Sequence, residues 1–481
     1  MSYTTAPLIL WESHRAQAEE NCACSTAQPL PDMMTALPSI GALWSQPAQW
    51  HTASLPNQHT LVFSPVSPVG PVVVNAEAAQ VLADYRQPQP LFSPVAQQLA
   101  RLGILQPYPY GVQPRILDEQ PTALTAWLHV TNECNLRCTY CYIHKTEEAM
   151  SEATGVAALE AIFRTAQQHG FQAVKLKYAG GEATLNFALI KQLHQYALEL
   201  AARSGLGLHE VILSNGVALT HGILDFVRTA GMQLSISLDG SAREHDAQRV
   251  FVNGKGSYQQ VRRGIERALA CGIKPHLSIT VTGHSVEGLV EAVKLALEHD
   301  LLFNLNFYRD HDPRKSHEQL RADDERLVSA IRLAFAAIEE RLPRRSLIAS
   351  LVDRANFAGP HQRSCGAGHD YLVVDQAGRV ARCQMEMERP VTDVFAADPL
   401  SNIRLYDESF QNVSVDEKEG CRDCHWRYWC AGGCSLLTHR VTGRSDVKSP
   451  YCTVYKAIYP ELLRLEGLRL LKWQPSVLQP A

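Results

Sequence analysis

No stretch of this chain is apolar for long enough to cross a bilayer as a helix. Long basic blocks are missing as well, and the formal net charge is only −4. Charge therefore gives no reason to expect nucleic acid as a partner. Met1–Glu20 lacks a basic segment followed by an apolar run, the form a secretory signal takes. The expected location is the cytoplasm, with no membrane partner. Cysteine is absent from Met150 to Ala270, a gap that a disulfide-stapled fold would not leave. What remains is an ordinary globular composition, 46% hydrophobic and 20% charged over 481 residues. That length is enough for two to four domains.

Against these absences stands an excess of cysteine. There are thirteen: Cys22 and Cys24, then Cys134, Cys138 and Cys141, then Cys271 alone, then seven from Cys365 to Cys452. In a cytosolic chain this density serves metal or redox chemistry more often than disulfides. The clustering favours separate metal sites. Cys271 ends a helical run and reads as a small packed hydrophobe. Cys22 and Cys24 lie in a polar lead segment and read as incidental.

The pattern divides into three regions. Residues 1–120 hold many prolines and few long periodic runs. Thr60-Leu-Val-Phe and Pro71-Val-Val-Val read as short strands, and Asn75 caps a helix beginning Ala-Glu-Ala-Ala. A second helix, Val95–Gly103, ends in an extended exit. Together they make a small α+β module. Residues 121–344 alternate β-rich apolar runs, starting at Ala126, Ala173, Glu210, Gln233, His276 and Phe303, with helical segments such as Ala153–His169, Phe187–Arg203 and Tyr258–Ala270. Six strand–helix repeats predict an α/β fold with a parallel sheet and right-handed crossovers, either open or bent into a partial barrel. Functional residues then gather at the carboxyl ends of the strands. Residues 345–481 are short of regular periodicity, hold seven cysteines, and are expected to need metal to hold them together.

Directly after the first of those strands comes Cys134-Asn-Leu-Arg-Cys138-Thr-Tyr-Cys141. Three thiolates within eight residues suit three irons of a [4Fe–4S] cube and leave the fourth iron open for chemistry. The competing readings are a zinc site and a plain structural loop; zinc takes four ligands and prefers C-x2-C pairs. Glycines Gly180 and Gly181 precede Glu182 at the end of the second strand. Glycine permits close approach of a ligand, and a carboxylate pairs with an ammonium; taken alone, the stretch reads as a turn sooner than as a binding site. Ser214-Asn215-Gly216 follows the third strand, and Ser235-Ile-Ser237-Leu-Asp239-Gly240 the fourth, where Asp239-Gly240 is also a strand-ending turn.

In order and spacing, Leu124–Arg341 resembles the radical S-adenosylmethionine (SAM) superfamily, whose signature is C-x3-C-x-aromatic-C with Tyr140 in the aromatic place. The resemblance implies a partial (β/α)6 barrel, a cluster on Cys134, Cys138 and Cys141, and SAM held on its open iron. Reductive cleavage of SAM then gives a 5′-deoxyadenosyl radical. It implies SAM contacts from Tyr140, Gly180, Gly181, Glu182, Ser214, Asn215, Ser237 and Asp239. It also implies an electron donor such as flavodoxin or ferredoxin.

The last seven cysteines run Cys365-x12-Gly378-x4-Cys383, then Cys421-x2-Cys424-x5-Cys430-x3-Cys434, then Cys452. This spacing resembles the SPASM extension of radical SAM peptide maturases. The resemblance implies two auxiliary [4Fe–4S] clusters, three clusters in all. Cys421, Cys424, Cys430 and Cys452 would close one of them. Cys365, Cys383 and Cys434 would leave the other an iron short of a thiolate, with His369 or Asp370, a substrate group or water to fill it; both residues also read as a solvated turn.

The front module resembles the winged-helix-type elements that bind a leader peptide at a sheet edge, and otherwise reads as a packing module. In sulfatase-maturing relatives an aspartate general base follows the second SPASM cysteine; here that place is Gln384, which cannot take a proton. The catalytic residue is left unassigned. The expected function is oxidative modification or crosslinking of side chains in a ribosomally made precursor peptide. The alternatives are a sulfatase-maturing-type enzyme, a radical SAM enzyme with a non-peptide substrate, and a zinc-ribbon adaptor without catalysis.

Overall fold

The computed structural model describes residues 6–12, 42–109, 122–310 and 318–474. Cys22 and Cys24 lie outside them. Short β-rich runs form β1 (Ile9–Leu10), β2 (Trp44–Ser45), β3 (His51–Leu55), β4 (His59–Phe63) and β5 (Val72–Val74). Four of these make an antiparallel sheet in the order β1-β5-β4-β3. The Asn75 side chain accepts a hydrogen bond from the Ala78 N–H at 3.0 Å and opens α1 (Ala76–Asp84), the cap the sequence predicts. Ser93 caps α2 (Pro94–Arg101), with proline in its first turn. β6 (Gln106–Pro107) returns to pair with β2. One sheet face closes over α1 and α2 through Val62, Val72, Val74, Leu82 and Tyr85. The other face, with Leu61, Phe63 and Val73, belongs to the main core.

The central sheet begins with β7 (Ala123–His129), β8 (Ala173–Ala179), β9 (Gly207–Ser214), β10 (Gln233–Ser237), β11 (His276–Val281) and β12 (Phe303–Phe307). These are parallel neighbours in sequence order. With a monotonic order, every right-handed crossover lies on one side of the sheet. The connecting helices are α3 (Glu152–Gln168), α4 (Phe187–Ser204), α5 (His221–Thr229), α6 (Ala242–Gln248), α7 (Tyr258–Ala270) and α8 (Leu289–Glu298). Strand residues alternate between the faces. Leu124, Ala126 and Leu128, like Leu277, Ile279 and Val281, enter the main core. Their neighbours Trp127, His129, Lys177, Ser278 and Thr280 therefore turn to the opposite face, which is largely polar.

The cysteine-rich region extends this sheet. β13 (Tyr371–Val374) pairs in parallel with β7, and β14 (Arg379–Ala381) and β15 (Thr392–Asp393) follow antiparallel. The other elements are α9 (Asp324–Glu340), α10 (Pro399–Leu405), α11 (Arg427–Cys430), α12 (Ser435–Thr442) and α13 (Cys452–Trp473). The sequence shows little periodicity here, yet α13 has 22 residues. It packs against α9 on one side and the β3–β5 sheet on another. A helix buried on several sides carries no single apolar stripe, so periodicity does not reveal it. Gly467 on α13 allows that sheet to approach: a Cβ there would lie 2.9 Å from Leu55.

Candidate functional site

The loop that leaves β7 carries Cys134, Cys138 and Cys141 with no helix or strand of its own. The end of β8 holds it in place. The Gly181 N–H donates to the Thr131 carbonyl at 2.7 Å, and the Glu182 N–H to the Glu133 carbonyl at 2.8 Å. A Cβ on Gly180 would sit 2.5 Å from the Thr131 oxygen, and one on Gly181 2.3 Å from that of Glu133. Both distances are far inside van der Waals contact. The glycines expected to admit a ligand thus first admit the backbone of the cysteine loop.

Glu182 is buried, and its carboxylate is met by the protein on both oxygens. Oε1 accepts from the Thr184 N–H (3.1 Å), the Thr184 hydroxyl (2.5 Å) and the Ser214 hydroxyl (2.8 Å). Oε2 accepts from the Asn215 N–H at 2.6 Å. Asn215 in turn donates its side-chain amide to Asn135 at 2.7 Å and lies 3.9 Å from the Cys134 sulfur. Glu182, Ser214 and Asn215 are thus one latch between the ends of β8 and β9 and the cysteine loop.

A second latch holds the other end of the loop. The Tyr140 hydroxyl donates to Asp239 Oδ2 at 2.5 Å and accepts from Arg249 at 2.5 Å. Gln248 also donates to Oδ2, at 3.0 Å, and the Thr280 N–H donates to Oδ1 at 2.8 Å. Asp239 is fully buried, so these bonds and the Arg249 charge compensate its desolvation. Burial pushes the Tyr140 phenol well above its ordinary range. Sequence reasoning gave Tyr140 and Asp239 as cofactor contacts; the structure makes them partners of each other. It missed Arg249 and Gln248, which stand in no motif. Ser237 ends β10 opposite Ser278 on β11.

The three thiols feel one another electrostatically. Burial raises Cys138 to about 11 and also raises Cys134. Donors already point at the sulfurs: the Leu136 N–H at 3.4 Å from Cys134, and the Lys145 ammonium at 3.1 Å from Cys141. Buried thiols of raised pKa ionise when a metal supplies the charge, and donors to sulfur are the second shell an iron–sulfur centre uses. The donor set therefore fits a cluster. Among the described residues no three His, Cys, Asp or Glu side chains form a ready site for a single ion, so the fit rests on this donor chemistry.

Cys421, Cys424, Cys430 and Cys452 likewise form one electrostatic set, with Cys421 raised to about 12 and Cys430 to about 11, chiefly by burial. Cys365 and Cys434 are tied through their neighbours, since the Ser364 hydroxyl donates to the Gly433 carbonyl at 2.6 Å. Asn412 donates to the Cys365 carbonyl at 2.6 Å and lies 3.8 Å from its sulfur. The Cys383 thiol faces the Gln384 amide oxygen at 3.6 Å. His369 holds the Asn412 carbonyl through Nε2 at 3.1 Å, and Asp370 is buried beside the Arg404 charge. Asp370 is buried and His369 half-buried, so the solvated-turn reading does not describe Asp370. Cys271 caps α7 and packs against the main core.

A cavity of about 920 Å³ lies between the two cysteine regions. Cys141 and Tyr142 line one wall, Gln384 to Arg389 another, and His439 and Arg440 of α12 a third. The Tyr371 hydroxyl fixes Gln384 by donating to its Oε1 at 2.9 Å. Tyr371, Trp127, Ala179 and Val373 form a small apolar cluster on the polar face of the sheet.

Residues 128–296 match the model of the radical SAM superfamily. The cysteine-type anaerobic sulfatase-maturating enzyme of Clostridium novyi is 22% identical over 353 residues, 68% of this chain and 92% of that enzyme. The AdoMet-dependent heme synthase of Methanosarcina barkeri is 26% identical over 353 residues, 68% of this chain and 95% of that one. An uncharacterized protein of Methanocaldococcus jannaschii, 29% identical over 168 residues, is matched over 35% of this chain and only 56% of its own length. Of the solved structures, anSMEcpe with bound AdoMet and Cp18Cys peptide superposes with a TM-score of 0.60 at 17% identity, over 73% of this chain and 99% of that one. At that identity the likeness is one of fold. The chain thus carries a radical SAM domain homologous to that of the anaerobic sulfatase-maturating enzymes, and such a domain implies SAM and a [4Fe–4S] cluster.

Proposed function

We propose that this enzyme oxidatively modifies or crosslinks side chains of a ribosomally made peptide, with a SAM-binding cluster on Cys134, Cys138 and Cys141 and two auxiliary clusters in a SPASM domain. One observation carries the reading: the cavity has the first cysteine loop on one wall and the residues after Cys383 on another. A side chain entering it lies between the radical source and an electron sink. When bound, SAM and its cluster supply a 5′-deoxyadenosyl radical that takes a hydrogen atom from the substrate.

The protein's own part is positioning and exclusion of water. In this reading the six-stranded unit is a partial (β/α)6 barrel with SAM against its polar face. Trp127 Nε1 and His129 Nδ1 are buried there without a partner, and a polar cofactor satisfies such atoms. Gly180, Gly181, Glu182, Ser214, Asn215, Ser237, Asp239 and Tyr140 frame the cofactor from the strand ends. Gln384 accepts no proton, which disfavours a chemistry that needs a base there. A net two-electron oxidation remains; auxiliary clusters held by the cysteines from Cys365 to Cys452 would accept an electron, and flavodoxin or ferredoxin would supply the priming one. Among the described residues the edge strand β3 of the front module has β4 on one side only, so a leader peptide can add beside it.

The test is co-expression with candidate peptides encoded beside the gene, followed by mass spectrometry. The expected result is a loss of hydrogen pairs that disappears when Cys134, Cys138 and Cys141 are all changed to Ala. That triple variant should also lose about four of about twelve irons. SAM cleavage persisting in it would overturn the assignment.

A further inference from the structure

Lys418 is 1% exposed, a rare condition for lysine. Its ammonium donates to the Ala431 carbonyl at 3.2 Å and lies 3.5 Å from the Ser435 hydroxyl. Those acceptors adjoin Cys430 and Cys434. The turn between the two cysteines folds around the lysine: Gly432 and Gly433 have φ of 74° and 69°, and a Cβ on Gly432 would lie 2.7 Å from the Lys418 side chain. The lysine's own carbonyl accepts from the Cys421 N–H at 3.0 Å. A polar relay continues outward. The Ser435 hydroxyl donates to Asn412 Oδ1 at 3.0 Å, and the Asn412 amide reaches the Cys365 carbonyl and sulfur.

In the ligand pairing that the SPASM resemblance implies, Cys421 and Cys430 belong to one auxiliary cluster, Cys365 and Cys434 to the other. We infer that Lys418 is a fixed buried cation shared by both auxiliary clusters, and that it favours their reduced states. The inference rests on the two-cluster reading. Reduction adds a negative charge to a cluster, so a buried positive charge beside both sets of thiolates favours that step at each. Burial pulls the Lys418 ammonium below its ordinary pKa, and the negative charge of Cys421, Cys430, Cys365 and Cys434 opposes that shift. The sequence hides this residue, because nothing in the cysteine spacing marks a lysine three places before Cys421. Lys418 thus acts through the clusters and not on the substrate.

The test uses the full chain with Cys134, Cys138 and Cys141 changed to Ala, purified without oxygen, so that only the auxiliary centres are seen. Potentiometric titration followed by electron paramagnetic resonance reads both midpoints. Lys418→Met, which keeps the length of the stem, and Lys418→Gln, which keeps a donor, should each lower both midpoints. The expected shift is at least tenfold in the reduction equilibrium, or about 59 mV for one electron. Lys448→Met, at an exposed lysine electrostatically coupled to Cys452, should move neither midpoint by that much. Unmoved midpoints in the two Lys418 variants, or a shift at one cluster only, overturn the shared-cation inference. Loss of the iron in both Lys418 variants overturns it too, in favour of a structural role. A parent that lacks about eight irons removes the two-cluster reading itself.

Discussion

Glu182→Gln separates two roles that the Gly-Gly-Glu stretch can play. The carboxylate accepts four hydrogen bonds, three on Oε1 and one on Oε2. An amide offers one acceptor oxygen and one donor nitrogen. If the nitrogen takes the Oε2 place, it faces the Asn215 N–H donor to donor; in the other orientation it faces the Thr184 N–H in the same way, while the Thr184 and Ser214 hydroxyls can turn to accept from it. The better choice still gives up one charge-assisted bond, worth about 1.5–3 kcal/mol, and leaves a buried N–H unmet. The expected loss of folding free energy is roughly 2–4 kcal/mol. SAM affinity should fall as well, by roughly 1.5–3 kcal/mol, because Asn215 and the Cys134 loop lose their common anchor. Guanidinium denaturation under argon reads the first effect, and calorimetric titration with SAM the second. Weaker SAM binding with an unchanged denaturation midpoint would refute the latch and leave Glu182 as a pure cofactor contact.

Two further outcomes follow from the same geometry. Gly181→Ala should cost about 1–3 kcal/mol by overpacking and should also lower iron at the first site, because its Cβ meets the Asn132 and Glu133 carbonyls of the cysteine loop; unchanged iron by colorimetric assay would show that the loop yields freely. His245, buried with Nδ1 accepting the Asp239 N–H at 3.2 Å, has its pKa lowered to about 2, first by burial and then by the Arg249 charge. The unfolded chain takes a proton near pH 6.5 and the folded one does not, so this group's share of stability is full above that pH and is lost as pH falls toward about 2. His245→Gln should flatten the wild-type slope between pH 6 and 5 by about 1.2 kcal/mol per pH unit, and equal slopes in denaturant titrations would count against it.

Much of this site is legible in the sequence because its parts sit at strand ends. The alternating runs beginning at Ala173, Gln233 and His276 mark β8, β10 and β11, and the Asn75 cap marks α1. The cysteines are legible by spacing alone. What the sequence conceals is pairing across distance. Nothing local says that β13 joins β7, so a region that reads as irregular proves to extend the central sheet. Arg249 and Lys418 are hidden for a related reason. A charged side chain reads as surface by default, and only the fold shows that each is buried against its partners.

The two latches bear on why so little of the first cysteine loop is regular structure. A cluster needs thiolates arriving from several directions, which a helix or strand does not provide within eight residues. The loop must therefore be irregular, and irregular backbone is costly to order. The ends of four strands supply that order. β7 leads into the loop, β8 meets it through Gly181 and Glu182, and β9 through Asn215 beside Cys134. β10 reaches it through Asp239, whose other oxygen is held by Thr280 of β11. Each contact comes from a carboxyl end, where a parallel sheet leaves its functional groups. The acidic residues of the sequence motifs are then read best as a frame: Glu182 and Asp239 are occupied by the protein before any cofactor arrives. Their loss should therefore disturb the loop first and the cofactor through it.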